Sequence, residues 1–334
     1  MKKNLLTRSG LFLLIGGLVV AAATMVVTND YYATVAFTLC FWCITAVGYN
    51  LSSGYAGELS LGHGVFLGIG AYSSTLFYTI GGVSPWIGMI VGVLLASGVA
   101  FLLGVIAIRL KGVFFAIITL AILLTFNVLA YRLKDLTNGA IGVVISGEPS
   151  FVNFIFEERW VYVLLIFLSL IGVMLIVKTL VSSRMGYELA AYRENEDAAL
   201  SLGISTIRVR IIALVFSGAI TAFAGSLWSQ YYQFIDPQSA FSLNFSIQVA
   251  LMAIVGGFGS LYGPIYGAVL IVMLGQLLQP LVQRAAGLDQ LLYGVILIIA
   301  LLFFPKGLAS FKDSALAHRI GRRFSRKVRN EATS

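Results

Sequence analysis

Charge is what this sequence has least of. Only 11% of its 334 residues are charged, 59% are hydrophobic and the mean hydropathy is +0.95. A water-soluble domain carries roughly a quarter of its residues as Asp, Glu, Lys and Arg. This chain cannot cover a soluble surface, so it is read as an all-α polytopic membrane protein. Cysteine and histidine are equally scarce, at two each. Cys40 and Cys43 lie inside an apolar run with no second pair or nearby histidine, which argues against a disulfide framework or a zinc site and for structural thiols. His63 and His318 are far apart, so no metal site is expected. No G-x-x-x-x-G-K-[ST] stretch occurs, so the chain has no phosphate-cradling loop of that kind. No Ser or Cys stands with a plausible base and orienting group. The chain is therefore read as non-catalytic, with no cofactor of its own.

Long apolar runs are abundant and set the organisation. Crossing a ~30 Å hydrocarbon layer as helix takes about 20 residues. Runs at 11–28, 31–49, 65–80, 86–108, 113–130, 161–180, 211–228, 245–255, 265–278 and 287–299 suggest ten crossings, or eight if the short runs 65–80 and 245–255 are re-entrant. The run at 11–28 follows a basic start and is read as a first span, because no small-x-small cleavage site is followed by a soluble domain. The net charge of +8 is concentrated at the end: from Lys306 onward there are eight basic and two acidic residues, +6 in all. The positive-inside rule then puts both termini, the Arg109–Lys111 turn and the stretch 182–210 in the cytoplasm. Arg132 and Lys134 run against that rule in the external connection 131–160. The basic tail 309–334 is expected to lie along anionic headgroups.

Three stretches break the apolar pattern. Asn50 to Gly64 reads NLSSGYAGELSLGHG, too polar and glycine-rich to face lipid. Irregular backbone at membrane depth is tolerated only against protein or a watery cavity. A broken helix beside a translocation path is the expectation, with Ser52, Ser53, Gly54, Gly57, Glu58 and Ser60 bordering it. Gly259, Gly263 and Gly267 repeat every four residues and would share one bare helix face for close packing. Residues 182–210 carry eight charges of balanced sign, with Ala-Ala, Leu and Ile at helical spacing between them. Helix, Gly203, helix is the reading, and a docking surface for a soluble partner is the use.

Taken together, these stretches resemble the permease subunits of ABC importers for branched-chain amino acids. The resemblance runs from about Asn50 to Gly307. It is carried by NLSSGYAGELSLGHG at 50–64, RLKGVFFAIITLA at 109–121, LTNGAIGV at 136–143, the long stretch from Ser217 to Ile247, GGFGSLYGPIYGA at 256–268 and YGVILIIALLFFPKGL at 293–308. The charged loop matches the docking pattern of such permeases, an acid, two alanines and then glycine: Asp197, Ala198, Ala199 and Gly203. The family usually has Gln where this chain has Glu58, which leaves the exact substrate open.

The resemblance implies the ABC-importer permease fold over residues 1–308 and a function: half of the path of an ATP-driven, high-affinity importer for leucine, isoleucine, valine or related amino acids. It implies a bacterial inner-membrane location, a second related permease subunit, two cytoplasmic ATPases that use the ATP, and an external substrate-binding protein. Arg193, Glu194, Asp197, Ala198, Ala199, Leu200 and Gly203 would then form the coupling loop. Nucleic acid is not an expected partner. The rival reading is an independent secondary transporter or channel for a small polar solute. It would need an intramembrane acid or ion site, and Glu58 is the only acid close to the broken segment.

Overall fold

A backbone in hydrocarbon must satisfy its own N–H and C=O groups, so apolar runs of this length have to be helical. The computed structural model describes residues 30–107, 110, 112–282 and 294. The long helices are α1 (Asp30–Asn50), α2 (His63–Thr79), α3 (Pro85–Ala107), α4 (Val113–Arg132), α6 (Arg159–Ser182), α9 (Thr206–Tyr232), α11 (Leu243–Gly256) and α12 (Gly263–Val282). Between them lie the short helices α5 (Lys134–Thr137), α7 (Arg184–Glu194), α8 (Glu196–Ser201) and α10 (Pro237–Ala240).

Ten or eight full crossings are not what the described residues contain. Six segments there are long and apolar enough to span a membrane: Asp30–Tyr55, Pro85–Ile106, Val113–Arg132, Arg159–Ser182, Thr206–Tyr232 and Pro237–Gly256. The runs expected at 11–28 and 287–299 and the tail 309–334 lie outside the described residues. The third expected run is the 17-residue α2, which rises only about 25 Å. The eighth is longer than its apolar run, because α10 leads into α11 within one candidate span. Asp236 starts that span: its side chain accepts from the Ser239 N–H at 3.0 Å, and Pro237 takes the first helical position, where a missing N–H costs nothing.

Helices α1 and α9 form the centre. α9 packs chiefly on α2 and α3, and α1 on α6, α11 and α12. Small residues set the α2–α9 distance. A Cβ on Gly225 would lie 3.0 Å from the Leu67 carbonyl carbon, and one on Gly70 would run into the Ala222 carbonyl. Ser226 Oγ donates to the Gly70 carbonyl at 2.8 Å, and Gln230 Nε2 to Ser74 Oγ at 3.0 Å. Such close approach with side-chain hydrogen bonds holds helices together where burial of apolar surface gives no gain. Phe37, Ile44, Val47, Ile166, Val249 and Met252 fill the space around α1, and Cys40 and Cys43 are buried there as free thiols. Helices α3 and α4 turn large apolar side chains outward, Leu94, Leu102 and Phe114 among them, as a lipid-facing wall does.

One end of the bundle is closed by the 131–160 connection. A two-stranded antiparallel sheet pairs β1 (Val143–Val144) with β2 (Phe234–Ile235), Val143 opposite Ile235. Trp86 stacks on Phe154 at 4.0 Å between ring centroids and donates Nε1–H to the Phe151 carbonyl. Asn127, a polar residue inside α4, donates to the carbonyls of Pro237 and Phe241. The opposite end carries α7, α8, the segment that follows α1 and the turn between α11 and α12.

Candidate coupling site

The charged loop is built from three helical pieces with two breaks, not the single glycine break expected. α7 begins after Ser183, and Arg184 Nε–H meets Glu188 Oε1 at 2.8 Å one turn on. Asn195 ends α7: its backbone is extended and its Oδ1 accepts from the Ala198 N–H at 3.0 Å, capping α8. Asparagine is a strong N-cap because its side chain takes up an orphan N–H of the first turn. Glu196 and Asp197 follow in that turn, where negative charge suits the helix dipole. Gly203 closes α8 at φ +77°, a conformation that side-chain-bearing residues rarely adopt. The helix expected after Gly203 is the first turn of α9 itself.

Contacts divide the loop residues. Leu189 and Ala199 are buried, and Leu189 packs with Ala56, Val209 and Ala213. Glu194, Asp197, Ala198, Leu200 and Gly203 are exposed. Tyr187, Leu200 and Leu202 stand out as exposed apolar groups, at 75%, 52% and 78%. Arg193 is exposed as a residue, yet its Nη1–H reaches inward to the Gly54 carbonyl at 2.7 Å. Its neighbour Tyr192 donates its hydroxyl to Glu58 Oε1 at 2.9 Å.

The broken segment lies directly beneath these two side chains. α1 does not end at Asn50 but widens into a π-helical turn, Leu51–Tyr55, before the chain runs irregularly to His63. Ser52, Ser53, Gly54 and Ser60 are in the interior of the chain, Gly57 is exposed and Glu58 half-buried. Ser52 Oγ lies 3.1 Å from Ser217 Oγ, which in turn is 2.8 Å from His63 Nε2. Ser60 Oγ accepts from the Gly62 N–H. Gly57 turns the chain at φ +76°. Glu58 forms an ion pair with Arg210 of α9, whose side chain is 3% exposed. Arg210 also donates to the Leu110 carbonyl and lies 5.7 Å from the Tyr192 ring centroid. Burial pushes the Glu58 carboxyl above its ordinary range, and the Arg210 charge and the Tyr192 hydroxyl hold it back.

The glycine face is smaller than its sequence period suggests. Gly259 belongs to the turn between α11 and α12, at φ +73°, and helix begins only at Gly263. Gly263 and Gly267 alone share the α12 face. A Cβ on Gly267 would run into the Met252 carbonyl and lie 2.8 Å from Gly256 N, so its close contact is with α11 of the same chain. Gly259 instead meets the π-helical turn: Asn50 Oδ1 accepts from its N–H at 3.0 Å, and Asn50 Nδ2 donates to the Ser260 carbonyl at 2.9 Å. Sequence reasoning passed over Asn50, Tyr192 as a contact residue and the burial of Arg210. The available signal for Arg210 was its place between Val209 and Ile211, where a cation at the mouth of an apolar helix needs a partner.

Similarity to known proteins gives the family. The family model described as branched-chain amino acid transport system / permease component matches residues 31–301. The chain belongs to that family. It is 27% identical over 318 residues to the Escherichia coli high-affinity branched-chain amino acid transport system permease protein LivM, covering 88% of this chain and 74% of that one. It is 25% identical to the E. coli permease protein LivH over 285 residues, 80% of this chain and 90% of the other. The probable branched-chain amino acid transport permease protein LivM of Methanocaldococcus jannaschii is 25% identical, covering 79% and 89%. No significant match to a solved structure is found. This family member is a multi-pass membrane protein.

Proposed function

We propose that this chain is one transmembrane half of an ATP-driven importer for branched-chain or related amino acids, and that α7 and α8 are where a cytoplasmic ATPase docks. Family membership supports the transport role. The observation that carries the docking role is the exposure of Tyr187 and Leu200 on short charged helices, and of Leu202 directly after the second, outside every candidate span. Large apolar groups held on a rigid, charge-rimmed element are what a partner groove buries, with the rim charges fixing orientation. Glu194, Asp197 and Ala198 belong to that rim and Gly203 to its hinge back into α9, while Ala199 serves from inside by holding α8 on the bundle.

ATP is used by the two partner ATPases, and this chain binds no cofactor. A related second permease subunit completes the path, and a binding protein outside the cell delivers substrate to the end closed by β1 and β2. The location is the bacterial inner membrane, with both termini and α7–α8 on the cytoplasmic side. The segment holding Ser52, Ser53, Gly54, Gly57, Glu58 and Ser60 borders the substrate path as a wall that moves, its small residues packed against the chain's own helices in this conformation. The test is a proteoliposome assay of the full complex. Leu202→Glu is expected to release the ATPases and abolish uptake, with the permease still inserted. Bound ATPases and undiminished uptake in that variant would overturn the docking role.

A further inference from the structure

Two chain breaks meet under α7, and one arginine lies across both. The first is the π-helical turn and loop after α1; the second is the turn between α11 and α12. They touch through Gly54 and Gly259, since a Cβ on Gly54 would sit 2.7 Å from Gly259 N and one on Gly259 would sit 3.2 Å from the Gly54 carbonyl oxygen. Asn50 ties them with two hydrogen bonds, to Gly259 N–H and the Ser260 carbonyl. Arg193 comes down from α7 onto this junction. Its Nη1–H bonds the Gly54 carbonyl, a Cβ on Gly259 would run into its guanidinium group, and its Cγ lies 3.4 Å from where a Gly57 Cβ would be.

A cation here has a clear physical role. Gly54 is in the last turn of a helical segment, whose carbonyls have no helical N–H to accept and carry the negative end of the dipole. A charge-assisted hydrogen bond to such a carbonyl is about twice as strong as a neutral one. The adjacent Tyr192 reaches the same loop four residues further on, through Glu58. Glu58 in turn is paired to Arg210 on α9. Consecutive residues of α7 thus hold the loop at two points, one leading to α1 and α12 and the other to α9.

We propose that Arg193 and Tyr192 are positioning residues for transport: they carry displacement of α7 into the membrane, Arg193 by clasping the junction of the α1 and α11–α12 breaks and Tyr192 by holding Glu58. Arg193 therefore acts inward, on its own chain, and not in the ATPase interface. This inference rests on the reading of α7–α8 as the ATPase dock. Two rigid helices joined by a clasp at irregular backbone can move as levers, since a helix break absorbs dihedral change that a continuous helix resists.

The test uses the full complex in proteoliposomes and reads substrate molecules imported per ATP hydrolysed. That ratio does not depend on how many complexes are intact, so mere destabilisation leaves it unchanged. Arg193→Ala is expected to retain both ATPases and to lower the ratio about tenfold, within the usual range of coupling between sites. Arg193→Lys, which keeps a cationic donor, should recover a substantial part. Tyr192→Phe, which keeps the ring beside Arg210 and removes only the hydroxyl, should lower the ratio by a smaller factor and covers the case in which Arg193→Ala fails to insert. An unchanged ratio in Arg193→Ala or, should that variant not insert, in Tyr192→Phe overturns the proposal. Loss of the ATPases from Arg193→Ala also overturns it, by making Arg193 an interface residue. Leu202→Glu is the control for the dock itself: if that variant keeps its ATPases and its uptake while Arg193→Ala still lowers the ratio, the dock reading fails separately, and Arg193 acts on the junction without receiving its displacement from an ATPase on α7–α8.

Discussion

Removing the Glu58 carboxylate should destabilise the chain far more than removing any other acid at the α7–α8 end of the bundle. Arg210 is almost fully buried, and Glu58 is 12% exposed at its side chain. An ion pair in such a place contributes little net stability, because desolvation offsets most of the attraction, but breaking it from one side leaves an uncompensated charge at a cost of about 3–5 kcal/mol. Arg210 keeps its bond to the Leu110 carbonyl and its place against Tyr192. Glu58→Ala should therefore fall at the lower limit, about 3 kcal/mol. Glu58→Gln keeps an oxygen for Arg210 and for the Tyr192 hydroxyl, and exchanges charged hydrogen bonds for neutral ones, about 1 kcal/mol. Glu58→Ala combined with Arg210→Met removes the stranded cation and should be more stable than Glu58→Ala alone. The assay is unfolding of the purified chain in mixed micelles titrated with SDS, followed by tryptophan fluorescence, with the exposed Glu194→Ala as control. A Glu58→Ala chain within about 0.5 kcal/mol of that control, the scatter of ordinary surface substitutions, would refute the pair as a structural element. A double variant weaker than both singles by their sum would refute the coupling. The pH dependence has a defined sign. Burial raises the folded-state carboxyl above its unfolded value, so Glu58's contribution is fullest below the ordinary carboxylate range and is lost as pH rises through the folded value. The stability difference between the native chain and Glu58→Gln should shrink over that window, and a growing difference would show that Arg210 outweighs burial.

Other perturbations follow from close contacts and backbone shape. Gly70→Val should lower stability by about 1–3 kcal/mol or more through overpacking, because its side chain would meet the Ala222 backbone; an unaltered SDS midpoint would show that α2 and α9 can separate freely. Gly203→Val should be unfavourable by about 1–2 kcal/mol from its left-handed backbone alone, since nothing lies within 4 Å of an added Cβ. Gly203→Asn, which tolerates that region, should lose less, and equal losses would point to a contact, not to backbone strain. Asn195→Cys should resist an impermeant thiol reagent applied to intact cells and react once the membrane is opened. Cys40 and Cys43 are buried and should give no background, and rapid labelling from outside would reverse the orientation proposed for α7–α8.

How much of this was legible depends on the range of the interaction. Apolar runs marked α3, α4, α6 and the interior of α9 nearly to their ends, because the solvent they displace leaves no other backbone choice. Gly70, Ala222 and Gly225 carry a signal of a general kind, since helices in lipid approach through small side chains. Local chemistry marked Gly203 as a break. It did not mark Asn195, which reads as one more polar residue until its side chain is seen capping α8. Gly259 was misassigned for a related reason: a four-residue period says nothing about whether the chain is helical, and the turn keeps Gly259 out of α12.

Long-range pairs were the harder part, and they are what gives the site its meaning. Glu58 and Arg210 are separated by most of the chain's first two hundred residues, as are Gly54 and Arg193, and only the packing of α1, α7 and α9 brings them together. From sequence, Glu58 looked like a charge beside a path and Arg193 like a rim contact. Glu58 instead turns to Tyr192 of α7 and Arg210 of α9, and Arg193 turns inward to the Gly54 carbonyl. A polar break inside a membrane protein has two needs: its free carbonyls and N–H groups must find partners, and if it is to move, those partners must move with it. Asn50 serves the first from within the bundle, and Arg193 serves it from a helix that lies outside every candidate span, where its neighbour Tyr192 holds the Glu58 side chain of the same loop. Supplying a partner from that helix would tie the conformation of the break to the position of α7, which is what the proposed docking of an ATPase on α7–α8 requires.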